Sequence, residues 1–260
     1  MDLLAEIELY YDTVPRAVAT TEEIGPFTLF VAGPGTGWQF YARPRLGPDP
    51  GITARDVRRM LDRQAALGVP RAIEWVEETT PSLLPAVLEA CCSGVEVERC
   101  PLLVLAEGGA PSPALAPGGR VRVLDAADPD LSLVVGAVGS AFSGRDEVEP
   151  ATPGRHRELI ERGLVIVAGA YDAHGRVVGG GTAAPRGTTT ELMGIAVLPS
   201  ARRRGFGGAL TSTLVVAARE RGVETVFLSA GTPAAAALYR GLGFTDLATA
   251  LICLAPLGSP

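Results

Sequence analysis

The chain has 260 residues, 47% of them hydrophobic, and a formal net charge of −6 at pH 7. This length and apolar content predict two globular domains and exclude a wholly disordered chain. No apolar run reaches the ~18–20 residues of a membrane span, and the acidic start lacks the basic region of a secretory signal. We therefore expect a cytoplasmic protein with no membrane partner.

The cysteines predict no metal centre. There are four of them, Cys91, Cys92, Cys100 and Cys253, with no CxxC pair and no histidine at a ligand spacing. Reduced and mostly buried thiols are the expected state.

All 23 basic residues are arginines, and they are unevenly distributed. Residues 1–118 carry 9 arginines and 16 acidic residues, a net charge of −7, whereas residues 119–260 carry 14 and 13, a net charge of +1. Proteins that bind nucleic acid usually present a broad basic surface. Neither half does so, which argues against nucleic acid as a partner.

A stretch rich in Gly, Pro, Ala and Ser, residues 107–120, has no hydrophobic period and is typical of a linker. It predicts an N-terminal domain of residues 1–110, a linker of residues 111–119 and a second domain of residues 120–260.

Hydrophobic periodicity and turn residues predict the elements of the second domain. In chain order they are a strand from 121, helices over 131–142 and 156–163, a hairpin over 164–185, a strand over 188–199, a helix over 208–222, a strand over 223–230, a helix over 232–243 and one or two strands over 244–256.

The first half repeats part of this pattern. Residues 51–76 align with residues 205–230, with Gly51 on Gly205 and Gly68 on Gly222, and residues 93–106 align with residues 242–255. Matching order, glycines and strand ends predict a duplicated domain.

The two copies differ where chemistry is expected. The first copy has Pro-Asp-Pro at residues 48–50 in place of the three arginines at residues 202–204. Thr53 and Asp56 form a T-x-x-D pattern, which is an ordinary helix cap. The first half is therefore predicted to keep the scaffold and to lack the loop.

The sequence Arg202-Arg203-Arg204-Gly205-Phe206-Gly207 connects a predicted strand to a predicted helix. A glycine turn that opens a helix directs main-chain N–H groups and the positive helix end at one point, and arginines favour an anion there. A P-loop is excluded because no GK[ST] follows, and a dinucleotide fold lacks its third glycine. A plain strand-to-helix turn with solvated arginines is the structural alternative.

Two motifs in order resemble the Gcn5-related N-acetyltransferase (GNAT) family. The loop is similar to the family's [R/Q]-x-x-G-x-[G/A] acetyl-CoA motif, and residues 238–244, Leu-Tyr-Arg-Gly-Leu-Gly-Phe, are similar to its later L-Y-x-x-x-G-F motif. The resemblance covers residues 120–256 well and the first half weakly. It implies an α/β (α+β) protein of two tandem GNAT-like domains, each a mixed, mostly antiparallel sheet flanked by helices.

The resemblance also implies where acetyl-CoA would bind. The pantetheine would lie along the strand that contains Ile195, Ala196 and Val197, with the main chain of Ile195 and Val197 pairing to it. The pyrophosphate would lie on the N–H groups of the loop, residues Arg202, Arg203, Arg204, Gly205, Phe206, Gly207 and Gly208. Thr232 replaces an asparagine often found in the family, which leaves open whether it makes a cofactor contact or a capping contact.

The same resemblance suggests catalytic roles. Tyr239 would be the general acid for the leaving thiolate, with a packed helix tyrosine as the structural alternative. Glu191, eleven residues before Arg202, would be the general base through a water molecule. The N–H of Ile195 would polarise the thioester carbonyl. The acidic loop of residues 146–149 would favour a cationic acceptor, or is simply solvated.

We therefore predict an acetyl-CoA-dependent N-acetyltransferase with a degenerate N-terminal half and a catalytic C-terminal half. It would acetylate a primary amine of a small molecule by direct attack in a ternary complex, without a metal. The alternatives are transfer from a longer acyl-CoA, or a non-catalytic CoA-binding regulatory module. The acceptor and the oligomeric state stay open, with a homodimer as one option.

Overall fold

A computed structural model describes residues 2–33, 41–91, 95–109 and 114–255 of the chain. Cys92 and the first part of the predicted linker, residues 111–113, lie outside these ranges. The chain divides into two compact units. The N-terminal unit comprises Met1–Leu102 with Leu247–Pro260, and the C-terminal unit comprises Leu103–Asp246.

The helices and strands follow in chain order. They are α1 (Leu3–Arg16), β1 (Ala19–Ile24), β2 (Phe27–Ala32), β3 (Ala42–Pro44), α2 (Ala54–Leu67), β4 (Ala72–Val76), α3 (Leu83–Cys91), β5 (Glu96–Leu105), β6 (Arg120–Leu124), α4 (Leu131–Phe142), α5 (Gly154–Glu161), β7 (Ile166–Tyr171), β8 (Val177–Ala183), β9 (Thr189–Val197), a 3-10 turn (Pro199–Ala201), α6 (Phe206–Arg219), β10 (Thr225–Ser229), α7 (Pro233–Gly241) and β11 (Phe244–Leu254). None of the helices in the described residues is long and apolar enough to cross a membrane.

The N-terminal unit is built on an antiparallel hairpin that is extended on one side. β1 pairs with β2, and β2 pairs with β3, both antiparallel. β3 then pairs in parallel with β4 at Ala42–Ile73, and β4 pairs antiparallel with β11. The buried side chains of Phe27, Leu29 and Trp75 lie in its core.

The C-terminal unit repeats the antiparallel series and its parallel step, with β6 added beside β7. β6, β7, β8 and β9 form an antiparallel series, and β9 pairs in parallel with β10. A methyl group placed on Gly180 would lie 2.6 Å from Val134 of α4, and one on Gly181 would lie 3.3 Å from Leu214 of α6. Because neighbouring residues of a strand point to opposite faces, α4 and α6 cover opposite faces of this sheet. The fold class predicted from the sequence is confirmed.

The order of elements repeats between the units. β1-β2-β3-α2-β4-α3-β5 corresponds to β7-β8-β9-α6-β10-α7-β11. The pairing is of the same type at the first three steps, antiparallel for β1–β2 and β7–β8, antiparallel for β2–β3 and β8–β9, and parallel for β3–β4 and β9–β10. The aligned glycines also adopt the same backbone conformation, with φ of 75° at Gly51 and 86° at Gly205, and 66° at Gly68 and 84° at Gly222. These features are consistent with a second copy of the fold.

The end of the chain differs from the predicted domain boundary. The sequence predicted that the second domain runs to residue 260, whereas residues from Leu247 onward belong to the N-terminal unit. The reason is strand pairing: Ala250–Leu254 forms an antiparallel ladder with Val76–Ala72. The domain boundary therefore falls inside β11.

The loop that follows α4 approaches the helix closely at one glycine. A methyl group on Gly136 would lie 2.0 Å from the carbonyl oxygen of Glu149, while one on Gly139 would meet nothing within 4 Å. Ser132 and Ser140, one turn to either side of Gly136, donate hydrogen bonds to the carbonyls of Ala151 and Glu147 at 2.6 and 2.7 Å. The small residues of α4 thus hold this loop against the helix.

We expect Gly136→Ala to lower the free energy of unfolding by about 1–3 kcal/mol, because the loop must move away from the helix. Gly139→Ala is the matched control on the same helix. It should raise stability by up to about 1 kcal/mol through helix propensity. Urea denaturation followed by circular dichroism measures both. Equal effects of the two substitutions would contradict the packing described here.

Candidate functional site

The connection from β9 to α6 forms a helix start that no side chain caps. Gly205 is the N-cap residue with φ of 86°, and it has no side chain to accept a hydrogen bond. The first helical hydrogen bond runs from the N–H of Ala209 to the carbonyl of Gly205 at 2.9 Å. The N–H groups of Phe206, Gly207 and Gly208 precede it and have no partner within the helix. This end of α6 favours an anion.

The corresponding helix start in the N-terminal unit, that of α2, is capped by side chains of the helix itself and of its N-cap residue. The hydroxyl of Thr53 accepts from the N–H of Asp56, and the carboxylate of Asp56 accepts from the N–H of Thr53 at 3.0 Å, a complete capping box. The T-x-x-D pattern predicted this cap.

The side chain of Asp49 accepts hydrogen bonds from residues around the start of α2. Its carboxylate accepts from the N–H of Gly51 and of Ser82, both at 2.9 Å, and from the Ser82 hydroxyl at 2.6 Å. The same Ser82 hydroxyl accepts from the N–H of Ile52. Burial opposes ionisation of Asp49, but the hydrogen bonds from Ser82, Gly51 and Ile52 outweigh it and lower the pKa of the carboxyl. The N-terminal unit therefore carries its own carboxylates at this position.

The three arginines of the loop have three different environments. Arg202 donates from Nε to the carbonyl of Val197 at 3.0 Å and from Nη2 to the carbonyl of Ala141 at 3.1 Å. Its main-chain N–H donates to Pro199. Arg202 thus joins the ends of α4 and β9 through two of its side-chain donors. Its main-chain N–H, which the sequence assigned to the pyrophosphate, is bonded within the chain, so the structure differs from the prediction on this point.

Arg203 and Arg204 remain directed to the surface of the loop. Both are exposed, and Arg203 has φ of 62°, the only positive value at a non-glycine residue in the described chain. Such a conformation costs of order 1–3 kcal/mol and is found most often at functional sites. Arg204 lines a cleft that is described below.

The end of β9 has one main-chain edge turned away from β8. Leu198 donates its N–H to Val178 at 2.9 Å, and Ala196 pairs with Gly180. Alternate residues of an antiparallel strand face the same neighbour, so the main chain of Val197 faces the opposite edge, where Arg202 reaches its carbonyl. The parallel pairing of β9 with β10 extends from Thr189 to Glu191. Beyond Glu191, the main chain of Ile195 and Val197, which the sequence assigned to the cofactor, lies on the edge of β9 that is not paired with β10. Ala196 between them pairs with β8 instead.

A bulge in β9 changes which side chains share a face. The pairs Gly180–Ala196 and Thr182–Met193 differ in register by one residue, and Gly194 between them has φ of 61°. Strict alternation along the strand would put Glu191 on the same face as Val197. The extra residue puts Glu191 with Met193 and Ala196 on the α4 face, and Val197 on the other face.

Tyr239 lies in α7 and is 8% exposed. Its ring meets Phe244 edge-on, with centroids 5.9 Å apart. Burial raises the pKa of its phenol to about 12. A methyl group on Gly207 would lie 3.2 Å from the side chain of Leu238, so the helix that carries Tyr239 contacts the start of α6.

Thr232 caps α7. Its hydroxyl accepts from the N–H of Ala235 at 3.1 Å. The capping contact is therefore kept at this position, and a cofactor contact of Thr232 stays a prediction.

A cleft of about 650 Å³ adjoins the loop on the α4 side of the sheet. Acidic side chains lie along it, together with Arg176, Arg204 and several apolar residues; the acids are Asp130, Asp146 and Asp172. A hydrogen bond from the N–H of Ser200 lowers the pKa of Asp146. The sequence singled out residue 146 but not Asp130 or Asp172, because they come from a helix start and a hairpin that only the fold brings together.

The two histidines have different environments. Burial lowers the pKa of His156 in α5. His174 lies exposed in the β7–β8 turn, where its main-chain N–H donates to the carboxylate of Asp172. Among the residues that the structure describes, no group of three or more His, Cys, Asp or Glu side chains could hold a metal ion.

Comparison with known proteins gives one family match. Residues 138–244, which contain β9, the loop and α7, match the model of the acetyltransferase (GNAT) family. This part of the chain is similar to a GNAT domain. No curated protein matches the sequence significantly.

Several solved structures share the fold. A GCN5-related N-acetyltransferase from Kribbella flavida has a TM-score of 0.73 at 24% identity, over 99% of this chain and 97% of that one. A GCN5-related N-acetyltransferase from Sphaerobacter thermophilus has a TM-score of 0.62 at 19% identity, over 95% and 84%. A tandem GNAT protein of clavulanic acid biosynthesis has a TM-score of 0.53 at 15% identity, over 90% and 79%.

We expect Arg202→Met to lower the free energy of unfolding by about 1 kcal/mol, because two charge-assisted hydrogen bonds are lost at an exposed position. Arg203→Met, the adjacent control, should change it by less than about 0.5 kcal/mol. Urea denaturation measures both. A loss at Arg203 as large as that at Arg202 would contradict the assigned contacts.

Proposed function

We propose that the C-terminal unit transfers an acetyl group from acetyl-CoA to a primary amine of a small molecule, by direct attack in a ternary complex. The observation that carries this proposal is the uncapped start of α6 behind the Arg203–Gly205 turn, in a domain of the GNAT family. A diphosphate suits this loop because it brings negative charge and oxygen acceptors to amides that lack partners. Acetyl-CoA supplies the activated acetyl group as a thioester.

The reaction requires proton transfers at two places. The amine nitrogen forms a bond to the acetyl carbon, the carbon–sulfur bond breaks, and the amine loses a proton while the sulfur gains one. Glu191 would accept the amine proton through a water molecule, and the N–H of Ile195 would donate to the carbonyl oxygen. Tyr239 would donate its phenol proton to the sulfur.

The environment of Tyr239 constrains its role. A phenol with a pKa of about 12 is protonated throughout the neutral and alkaline range, so the proton is available for donation. Its transfer to a free thiolate with a pKa of ~8.5 is uphill by about 5 kcal/mol. Donation must therefore be concerted with cleavage of the carbon–sulfur bond.

The cleft beside the loop supports a cationic acceptor. Asp130, Asp146 and Asp172 line it together with apolar side chains. Asp130 is paired with Arg122 and Asp172 with Arg176, so Asp146, which accepts from the main-chain N–H of Ser200, is the carboxylate that would favour an ammonium group over a neutral or anionic one.

Calorimetric titration with acetyl-CoA should give one site per chain, because Asp49 and the Thr53–Asp56 cap occupy the corresponding position of the N-terminal unit. Arg203→Glu should abolish binding through charge repulsion at the loop. Arg55→Glu makes the same change at the exposed start of α2 and should have no effect. Two sites would show that the N-terminal unit also binds, and an absence of sites would remove the proposed activity.

Tyr239→Phe should lower turnover at least tenfold and leave acetyl-CoA binding unchanged, because only the proton donor is lost. Tyr171→Phe, which alters another buried tyrosine of the same unit, should leave turnover unchanged. A thiol-release assay over a panel of amines measures both. Since the pKa of Tyr239 is raised, the wild type should show no alkaline loss of turnover up to about pH 10. Full turnover of Tyr239→Phe would assign the residue to packing.

A further inference from the structure

The segment Ala114–Gly119, at the end of the predicted linker, lies against the start of α6. The N–H of Ala116 donates to the carbonyl of Arg204 at 3.0 Å. The N–H of Gly119 donates to the carbonyl of Ala116 at 2.9 Å and closes a turn. The segment is thus bonded to the loop main chain, which the composition of a flexible linker did not predict.

Close approach of backbone to backbone reinforces this contact. A methyl group on Gly205 would lie 2.2 Å from the carbonyl oxygen of Ala114 and 3.2 Å from the Cα of Leu115. One on Gly119 would lie 3.0 Å from the ring of Phe206, the first residue of α6. The N-cap of α6 is therefore packed directly against this segment.

The segment is itself anchored on both sides. Leu115 is partly buried and packs against the core that includes Phe206 and Leu210. On the other side, a methyl group on Gly118 would lie 2.8 Å from Cβ of Ala173 in the β7–β8 turn. All of these residues belong to the C-terminal unit.

We propose that Ala114–Gly119 is a positioning element for the acetyl-CoA loop. Arg203 and Gly205 both have positive φ, and a strained conformation at Arg203 persists only where its surroundings enforce it. The segment supplies this enforcement through the Ala116–Arg204 hydrogen bond and the contact on Gly205. It thereby keeps the first amides of α6 directed at one point. The loop depends for its shape on residues outside the recognised motif.

This inference rests on the proposed function for its ligand, but its structural part can be measured without one. In the full-length protein, Leu115→Ala removes the anchor of the segment. Leu105→Ala is the matched control, since Leu105 is also partly buried and packs against the same core. Two readouts are used: amide hydrogen exchange of residues 203–208 in the absence of ligand, and the Kd for acetyl-CoA.

Leu115→Ala should speed exchange of residues 203–208 at least tenfold and weaken acetyl-CoA binding about tenfold, with the Kd of Leu105→Ala within twofold of wild type. Leu115→Met should restore both values, because it refills the same space. Similar exchange in Leu115→Ala and Leu105→Ala overturns the positioning role. Faster exchange with an unchanged Kd overturns its importance for binding.

Failure of the wild type to bind acetyl-CoA would count against the proposed function alone, since the exchange comparison still decides the positioning role. If Leu115→Ala does not fold, Gly119→Ala takes its place. Its added methyl group presses on Phe206 and should have the same direction of effect on both readouts.

Discussion

The first turn of α6 is the constraint on which the rest of the site depends. An α-helix begins with main-chain N–H groups that need partners from outside the helix. At α2 these partners are side chains, Thr53 and Asp56. At α6 the N-cap is Gly205, which offers none. A helix start of this kind is stable only when a ligand or solvent supplies the acceptors, and this explains why the adjacent loop is built from glycines and arginines.

The loop keeps its shape through contacts made on several sides. Arg202 joins it to the ends of β9 and α4, and Ala116 bonds to it from the segment before β6. These contacts allow Arg203 to hold a positive φ that an arginine would not adopt alone. A rigid loop binds a phosphate more tightly than a mobile one, because less conformational entropy is lost on binding.

The two units have a similar order of elements and differ at one helix start. They share the order of elements and the conformation of aligned glycines, which are requirements of folding. They differ in whether side chains of the same unit cap the helix start, as they do at α2 and not at α6. Asp49 places a carboxylate near the amides before α2, so a second anion there would meet a negative charge. The difference between the units is thus electrostatic, on a common backbone.

The sequence by itself determined the features that depend on neighbouring residues. The T-x-x-D cap at Thr53, the glycine start of α6 and the succession of helices and strands in residues 120–254 follow from local hydrogen bonding and hydrophobic period, and the structure contains them all. The two motifs, residues 202–207 and 238–244, were enough to indicate the family. Local patterns determine these features because the interacting groups lie within a few residues of each other.

Only the tertiary structure decided the rest. The bulge at Gly194 moved Glu191 to the α4 face, since one extra residue reverses the alternation of a strand. Arg202 bonds to Ala141, 61 residues away, and the predicted linker packs against the N-cap of α6. The last strand pairs with β4 of the N-terminal unit, although its sequence adjoins the C-terminal unit. Each of these features joins residues distant in sequence, and a single sequence carries no local signal for such contacts.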